Sequence, residues 1–442
     1  MGKFEMMGGR GGSESPMASS SDIETGSPSP PPPPHLEEKL ESLPKNTSRH
    51  TLNIYFNVSY YLLLIPFKPF YNVETGRCSL TTFSIQRILC LFVMWPLILL
   101  NILSYIIRAL YLIFTVNKIS AKGYFNVFAQ FLYAFKELKL MWTFLKKQDK
   151  IQEYLTSINQ NSLLIKKRDE KEDRFRVDWT ILYILFVFFV YLANFIKLGQ
   201  TLSLTPSSFI TSGRTRFFLT DPLPAEDEYW TVENILLGSV DIILRLASLV
   251  NLFSTFIFFL LPFPLWKATR HFETFATHSS SSARPKHSEG WVYHRETNIL
   301  EKYEELKILN ESGNEAWATL TLLWILELAV KIVLEFDNSV VSSNPVDVVV
   351  LLGTQGLMIV SLMMGAEVVR MVERFKGWLI TKRKSRREFF IGRSQEVRMI
   401  MEELQGSPIG IGAPGVYQLS YSFLAQLLCF IVITLFLSFP ST

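Results

Sequence analysis

The chain sorts its basic residues to one side of a series of apolar segments. Three loops, 143–176, 266–316 and 370–414, hold 26 Lys and Arg, whereas the loops alternating with them, 115–120, 202–230 and 337–345, hold three. Lys and Arg close to the ends of membrane spans favour the cytoplasm. The apolar segments are long enough to cross about 30 Å of hydrocarbon, which takes roughly 20 residues. The expected architecture is therefore an all-α membrane protein with seven transmembrane helices, near 87–114, 121–142, 178–201, 232–262, 317–336, 346–370 and 416–439. The basic loops follow the second, fourth and sixth spans. That predicts an intracellular N-terminus, an extracellular C-terminus and long cytoplasmic helical extensions. A G-protein-coupled receptor has the opposite orientation, so that class is excluded.

A chain of 442 residues has room for two or three soluble domains. The composition argues otherwise, with 48% hydrophobic and 14% aromatic residues, 35 of them Phe. The net charge of +4 says little beside its placement. Cys78, Cys90 and Cys429 provide no disulfide framework, and the last two sit in apolar runs. Residues 1–50 are rich in Pro and Ser, with prolines at 30–34, and read as a disordered cytoplasmic tail; the proline run also fits an SH3 or WW ligand. Met1 to Pro44 has no apolar core of a signal peptide, so none is expected. Residues 51–86 form a lead-in whose apolar stretch is broken by Pro66, Lys68 and Pro69, which predicts an interfacial or re-entrant segment. Residues 87–442 form the seven-span domain.

The basic loops keep apolar residues at helical spacing, including Phe272, Phe275, Ile299, Leu300, Tyr303 and Leu306. Helices are expected to run past the membrane there and pack together below it. The sequons at Asn46, Asn57 and Asn310 all fall inside or in the lead-in, so glycans are not expected.

Nothing in the sequence asks for enzymatic chemistry. There is no P-loop, no GxSxG and no HExxH. The repeat of His271 and His278 by His287 and His294 lacks the cysteines of a structural zinc site. No metal, cofactor or nucleic acid is expected. Ionisable residues inside spans are costly and therefore informative. Asp241 and Arg245 lie four apart on the fourth span, and Glu327 and Lys331 do so on the fifth, so each pair shares a helix face. Lys136, Glu137 and Lys139 fall at the inner end of the second span, where they are expected to snorkel. The outer halves of the spans offer an aromatic and polar surface that suits a small-molecule pocket, and also suits plain packing. Its residues are Phe128 and Phe131 on the second span, Phe188, Tyr191 and Phe195 on the third, Asp241 on the fourth, and Thr354, Gln355 and Met358 on the sixth. Before the last span come a basic amphipathic segment, Gly392 to Gln405, and a Gly- and Pro-rich break, Ser407 to Gly415. Phe423, Leu427, Phe430, Thr434 and Ser438 then share one stripe of the last span, with Leu437 beside its end. Such a stripe fits a pore lining in a symmetric oligomer and equally an ordinary packing seam.

Arg393 to Leu404, followed by SPIGIGAPGVYQLSYSFL (Ser407 to Leu424), resembles the cytoplasmic helix, short loop and last-span start of the arthropod gustatory and odorant receptor superfamily. YYLLLIPFKPF (Tyr60 to Phe70) resembles that family's lead-in to its first span. The layout is similar over about 52–442. One signature departs. Gustatory receptors end the last span with Thr-Tyr, five apolar residues and Gln-Phe. An ungapped match from Tyr417 puts Ile433, Thr434, Pro440 and Ser441 at those places, and a shifted register puts Cys429 and Phe430 at the first pair.

The resemblance implies a divergent gustatory-type chemoreceptor of the plasma membrane. It would be a ligand-gated, non-selective cation channel of four subunits, homomeric or heteromeric. The last span would line the pore, the intracellular helices would join the subunits, and a tastant or odorant would bind among the other spans. A constriction at Leu437 or Thr434 would gate it. A seven-span receptor or photosensor without a pore is the alternative. A transporter fits less well, since no internal repeat with broken helices is present.

Overall fold

Apolar residues three and four apart dominate the chain, and the fold in the computed structural model is accordingly helical. It describes residues 47–61, 65–72, 75–81, 85–115, 121–164, 257–281, 289–341, 345–385, 394–406, 409–413 and 415–438, with isolated positions between 189 and 240. The expected third span, and the fourth before 257, lie outside the described residues except for a few positions.

Helix α1 (Thr47–Tyr61) buries Leu52, Tyr55, Phe56 and Tyr60, one face at helical spacing, and leaves Ile54, Val58 and Tyr61 exposed. A β-hairpin follows, β1 (Lys68–Tyr71) against β2 (Cys78–Thr81), in the register Lys68↔Thr81 to Tyr71↔Cys78. Its turn uses Gly76 at φ 68°, a left-handed conformation that glycine adopts without a Cβ clash. The Asn159 side-chain amide donates to the Gly76 carbonyl at 2.5 Å, and the Cys78 amide donates to Thr156 Oγ1 at 3.0 Å. Both partners lie on α5 (Gln148–Gln160), so the hairpin is docked there. The lead-in is thus a helix and a hairpin packed on the body of the protein.

Helix α2 (Ile85–Leu89), a π-helical turn (Cys90–Met94) and α3 (Trp95–Thr115) run on without a break. The Trp95 indole donates to Cys90 Sγ at 3.2 Å across the π turn. Helix α4 (Ala121–Lys146) returns along α3, and α5 continues beyond a bend at Lys147. Then come α6 (Pro262–Ser281), α7 (Glu289–Val341), α8 (Pro345–Ser385) and α9 (Ser394–Gly406). A short hairpin, β3 (Gly412–Ala413) with β4 (Tyr417–Gln418), leads into the terminal helix α10 (Tyr421–Ser438).

Among the described residues, the stretches Ile85–Phe114, Ile299–Leu334 and Gln355–Thr381 are long and apolar enough to cross a membrane, and Tyr421–Thr434 is a shorter apolar helix. Helix α4, expected to be a span, falls outside that class because it carries Lys136, Glu137, Lys139 and Lys146. Helix α7 has 53 residues. At 1.5 Å per residue it is about 80 Å long, far more than the hydrocarbon thickness.

The main core lies where α1, the hairpin, α5 and the first half of α7 meet α6 and α8. Phe67 packs on Phe144, and Phe144 on Trp317, with ring centroids 5.9 and 6.1 Å apart. Phe375 lies 4.7 Å from Phe272 and stacks on Tyr303 and Trp378 at 6.2 and 5.8 Å. Ile299, Tyr303 and Leu306 are buried and Phe275 is half-buried, so the apolar spacing in the basic loops is that of packed helices.

The hairpin before α10 is tight. A Cβ on Gly412 would lie 2.2 Å from the Tyr417 carbonyl oxygen, and backbone cannot swing aside as a side chain can. Gly377, in the interior of α8, has no atom within 4 Å of such a Cβ. Gly412→Ala should therefore cost about 1–3 kcal/mol of stability. Gly377→Ala should be neutral or stabilising by up to about 1 kcal/mol. Thermal unfolding of the detergent-solubilised protein, followed by size-exclusion chromatography, separates the two.

Candidate functional site

Helix α10 is anchored at its start. The Tyr417 hydroxyl donates to the Ala318 carbonyl of α7 at 2.7 Å, and the Tyr417 ring lies 5.9 Å from that of Phe423. The Tyr421 hydroxyl donates to Glu367 of α8 at 2.8 Å, with the Arg370 guanidinium 5.8 Å from the Tyr421 ring centroid. Glu367 also accepts from Arg370 and Arg374, at 2.9 and 3.4 Å. Further along, Ile431 is buried against Ala329 and Val333 of α7, with Leu427 packed beside them.

The stripe expected to line a pore turns toward this same body. Phe423 and Leu427 pack on the core, and Thr434 is buried with its hydroxyl donating to the Phe430 carbonyl at 2.7 Å. Phe430 sits at the edge of the stripe and is half exposed. The side chains of Leu437 and Ser438 lie outside the described residues. The exposed arc of α10 instead carries Ser422, Gln426, Cys429, Ile433 and Phe436, which fall on one stripe at intervals of three and four.

Of the expected pocket residues, Phe128 and Phe131 are exposed on α4, Met358 is buried in α8 and Gln355 is half-buried. The Thr354 side chain, Phe188, Tyr191, Phe195 and Asp241, with its partner Arg245, lie outside the described residues. A cavity lined by Tyr154, Asn314, Trp317 and Ile411 measures about 30 Å³. That is the space of one water, against at least about 300 Å³ for a ligand pocket. Among the described residues no group of three or more His, Cys, Asp or Glu gathers to hold a metal. His271 Nδ1 lies 2.6 Å from the Leu163 carbonyl oxygen, a structural contact. Asn310 accepts the Gly410 amide at 3.0 Å, so that sequon side chain braces the loop before β3.

Among the described residues, Lys136, Glu137, Glu327 and Lys331 find partners within the protein rather than extending toward water. Glu327 and Lys331 form the expected i,i+4 pair at 2.9 Å. The second partner of Glu327 is Lys136 of α4, at 2.5 Å, with the Lys136 side chain fully buried. The neighbouring Glu137 is 3% exposed and accepts from the Asn101 side-chain amide of α3 at 2.8 and 3.0 Å. The expectation that Lys136 and Glu137 snorkel is thus corrected. Partners on adjacent helices satisfy them in place, which a single-helix reading does not see. The Lys331 ammonium also lies 5.8 Å from the Tyr133 ring centroid.

Removing one member of a buried ion pair strands the other charge and costs about 3–5 kcal/mol, whereas replacing both by apolar residues is nearly neutral. Glu327→Gln should abolish a monodisperse folded peak or lower the thermal midpoint sharply. The double change Lys136→Met with Glu327→Leu should recover most of it. Lys331→Met, at a half-exposed position, should have the smallest effect.

No family model matches the sequence, and no curated protein matches it either. The fold has counterparts among solved structures. The olfactory receptor OR5 of the insect Machilis hrabei in complex with eugenol superposes with a TM-score of 0.55 at 12% identity, covering 88% of this chain and 97% of the receptor. A second structure of the same receptor gives a TM-score of 0.55 at 12% identity, covering 92% of this chain and 99% of the receptor. The correspondence spans nearly the whole of both chains, so this chain has the fold of an insect olfactory receptor.

Proposed function

We propose that the protein is a chemosensory receptor of the insect chemoreceptor superfamily, resident in the plasma membrane and acting as a ligand-gated, non-selective cation channel. The observation that carries this reading is the end-to-end fold shared with an insect olfactory receptor. The sorting of basic residues into alternate loops supports the orientation, with the N-terminus in the cytoplasm and Thr442 outside. Four subunits surround one pore in this reading, and α10 lines it. The side that α10 offers is the exposed arc of Ser422, Gln426, Cys429, Ile433 and Phe436, since the opposite side is taken by α7 and α8.

The ligand is a small, largely apolar tastant or odorant. It binds among the outer halves of the spans, with Phe128, Phe131, Phe188, Tyr191, Phe195, Asp241, Thr354, Gln355 and Met358 as candidate lining residues. Eugenol, bound by the Machilis hrabei receptor, has the aromatic and hydroxyl character that such a surface takes. Gating follows from a difference in ligand affinity between closed and open states. The gustatory assignment is the narrower part of the proposal.

Cys429 provides the test, because it is a free cysteine on the exposed arc. Cells expressing the chain should pass a cation current reversing near zero millivolts when challenged with a panel of tastants and eugenol. A membrane-impermeant, positively charged methanethiosulfonate reagent should reduce that current by half or more, and Cys429→Ser should remove the sensitivity. Cysteine-independent block places α10 elsewhere. The absence of any current from purified protein in planar bilayers overturns the channel.

A further inference from the structure

The inner end of α4 gathers positive charge that the carboxylates among the described residues match only in part. Lys139, Lys146 and Lys147 lie there, with Lys150 at the start of α5. Lys150 is matched, 2.8 Å from Glu315 and 3.0 Å from Glu153. Lys147 is half-buried and donates to the backbone carbonyl of Glu315 at 2.6 Å. Burial pushes its ammonium below the usual lysine range, and the charges of Lys139 and Lys150 push it further against the pull of Glu315. Glu137, the nearest acidic residue along α4, is buried against Asn101. Among the described residues, no carboxylate lies within ion-pair distance of Lys139 or Lys146.

The same helix end carries an outward apolar stripe. Phe135, Leu138, Trp142 and Leu145 are 39 to 55% exposed and share one face. Lys139 and Lys146, seven residues apart, run along the edge of that stripe with Trp142 between them. Tryptophan favours the boundary between hydrocarbon and headgroups, and lysine beside it reaches the phosphate layer. The apolar stripe thus faces acyl chains while the ammonium groups stand at headgroup level.

We propose that Lys139, Lys146 and Lys147, flanked by Trp142, form a site for the headgroup of an anionic phospholipid of the cytoplasmic leaflet. A headgroup phosphate supplies the negative charge that the cluster lacks and relieves the repulsion between Lys139 and Lys147. The leaflet rests on the orientation read from the basic loops. The site also touches the rest of the protein, because Lys147 and Lys150 hold α7 at Glu315. Lipid there would bias the long helix that backs α10.

Native mass spectrometry of the purified full chain, with equal phosphatidylserine and phosphatidylcholine added in detergent, reads this without any current. It therefore fails or succeeds separately from the channel. Phosphatidylserine should be retained in strong preference. Each lysine near a charged headgroup contributes about a fivefold factor, so Lys139→Gln with Lys146→Gln should cut the preference by roughly 30-fold. Lys139→Arg with Lys146→Arg should keep it, and both variants leave the Lys147 contact intact. Equal retention of the two lipids by the unmodified chain overturns the proposal. So does a preference that survives the glutamine pair, or complete displacement of the lipid by millimolar inorganic phosphate.

Discussion

A lysine and a glutamate closed off from water fix the register of α4 against α7, and the rest of the membrane-level structure depends on that register. Neither charge is tolerable alone at that depth. At 2.5 Å from Glu327, Lys136 sets where α4 stands along a helix 53 residues long. The Asn101 amide on Glu137 extends the constraint to α3. Within two turns beyond Glu327, Ala329 and Val333 present the surface that receives Ile431 of α10. Polar bonds therefore join α3, α4 and α7, and apolar packing carries the same register to the terminal helix.

The second constraint is the continuity of α7. Its first half belongs to the aromatic core with α5, α6 and α8, where Tyr303, Phe375, Phe272 and Trp378 lock together. Most of its second half falls in the stretch Ile299–Leu334, which is long and apolar enough to cross a membrane. An unbroken helix transmits a rotation or shift from one end to the other because its backbone bonds leave no hinge. Asn310 and Asn314, on the intervening turns, hold the Gly410 and Gly412 amides of the segment that leads into α10. The aromatic core and the start of the terminal helix are thus fastened to the same few turns of α7.

Much of this was legible in the sequence where the physics is local. Spacing of three and four in the basic loops revealed helices, and Tyr303 and Leu306 are indeed core residues. The pair Glu327 and Lys331 followed from their spacing alone. The Gly- and Pro-rich stretch before α10 read as a sharp turn and is the β3–β4 hairpin. What stayed hidden depends on contacts between distant segments. Lys136 meets Glu327 across 191 positions, and a single-helix argument sent it toward water instead. The lead-in looked like a poor span because of Pro66 and Pro69. No periodicity announces a four-residue strand, so the hairpin docked on Thr156 and Asn159 was not foreseen.

The terminal helix shows how a hydroxyl can be buried beside apolar packing. Thr434 returns its hydroxyl to the Phe430 carbonyl one turn back, so its polarity is satisfied within its own helix and needs no water. It is buried one turn beyond Ile431, which packs on Ala329 and Val333 of α7. The residues left outward follow a gradient along the helix instead. Ser422 and Gln426 lie near its start, Cys429 in the middle, and Ile433 and Phe436 toward its end. In the proposed tetramer the start of α10 is at the cytoplasm. Four copies would form a wide, wettable vestibule there and a narrow apolar collar farther out, the arrangement in which a pore closes by dewetting and opens by a small radial movement. In that reading α10 would have to tilt on the Ala329 and Val333 surface, and the force that opens the collar would pass through α7, the helix that the buried Lys136–Glu327 pair ties to α4.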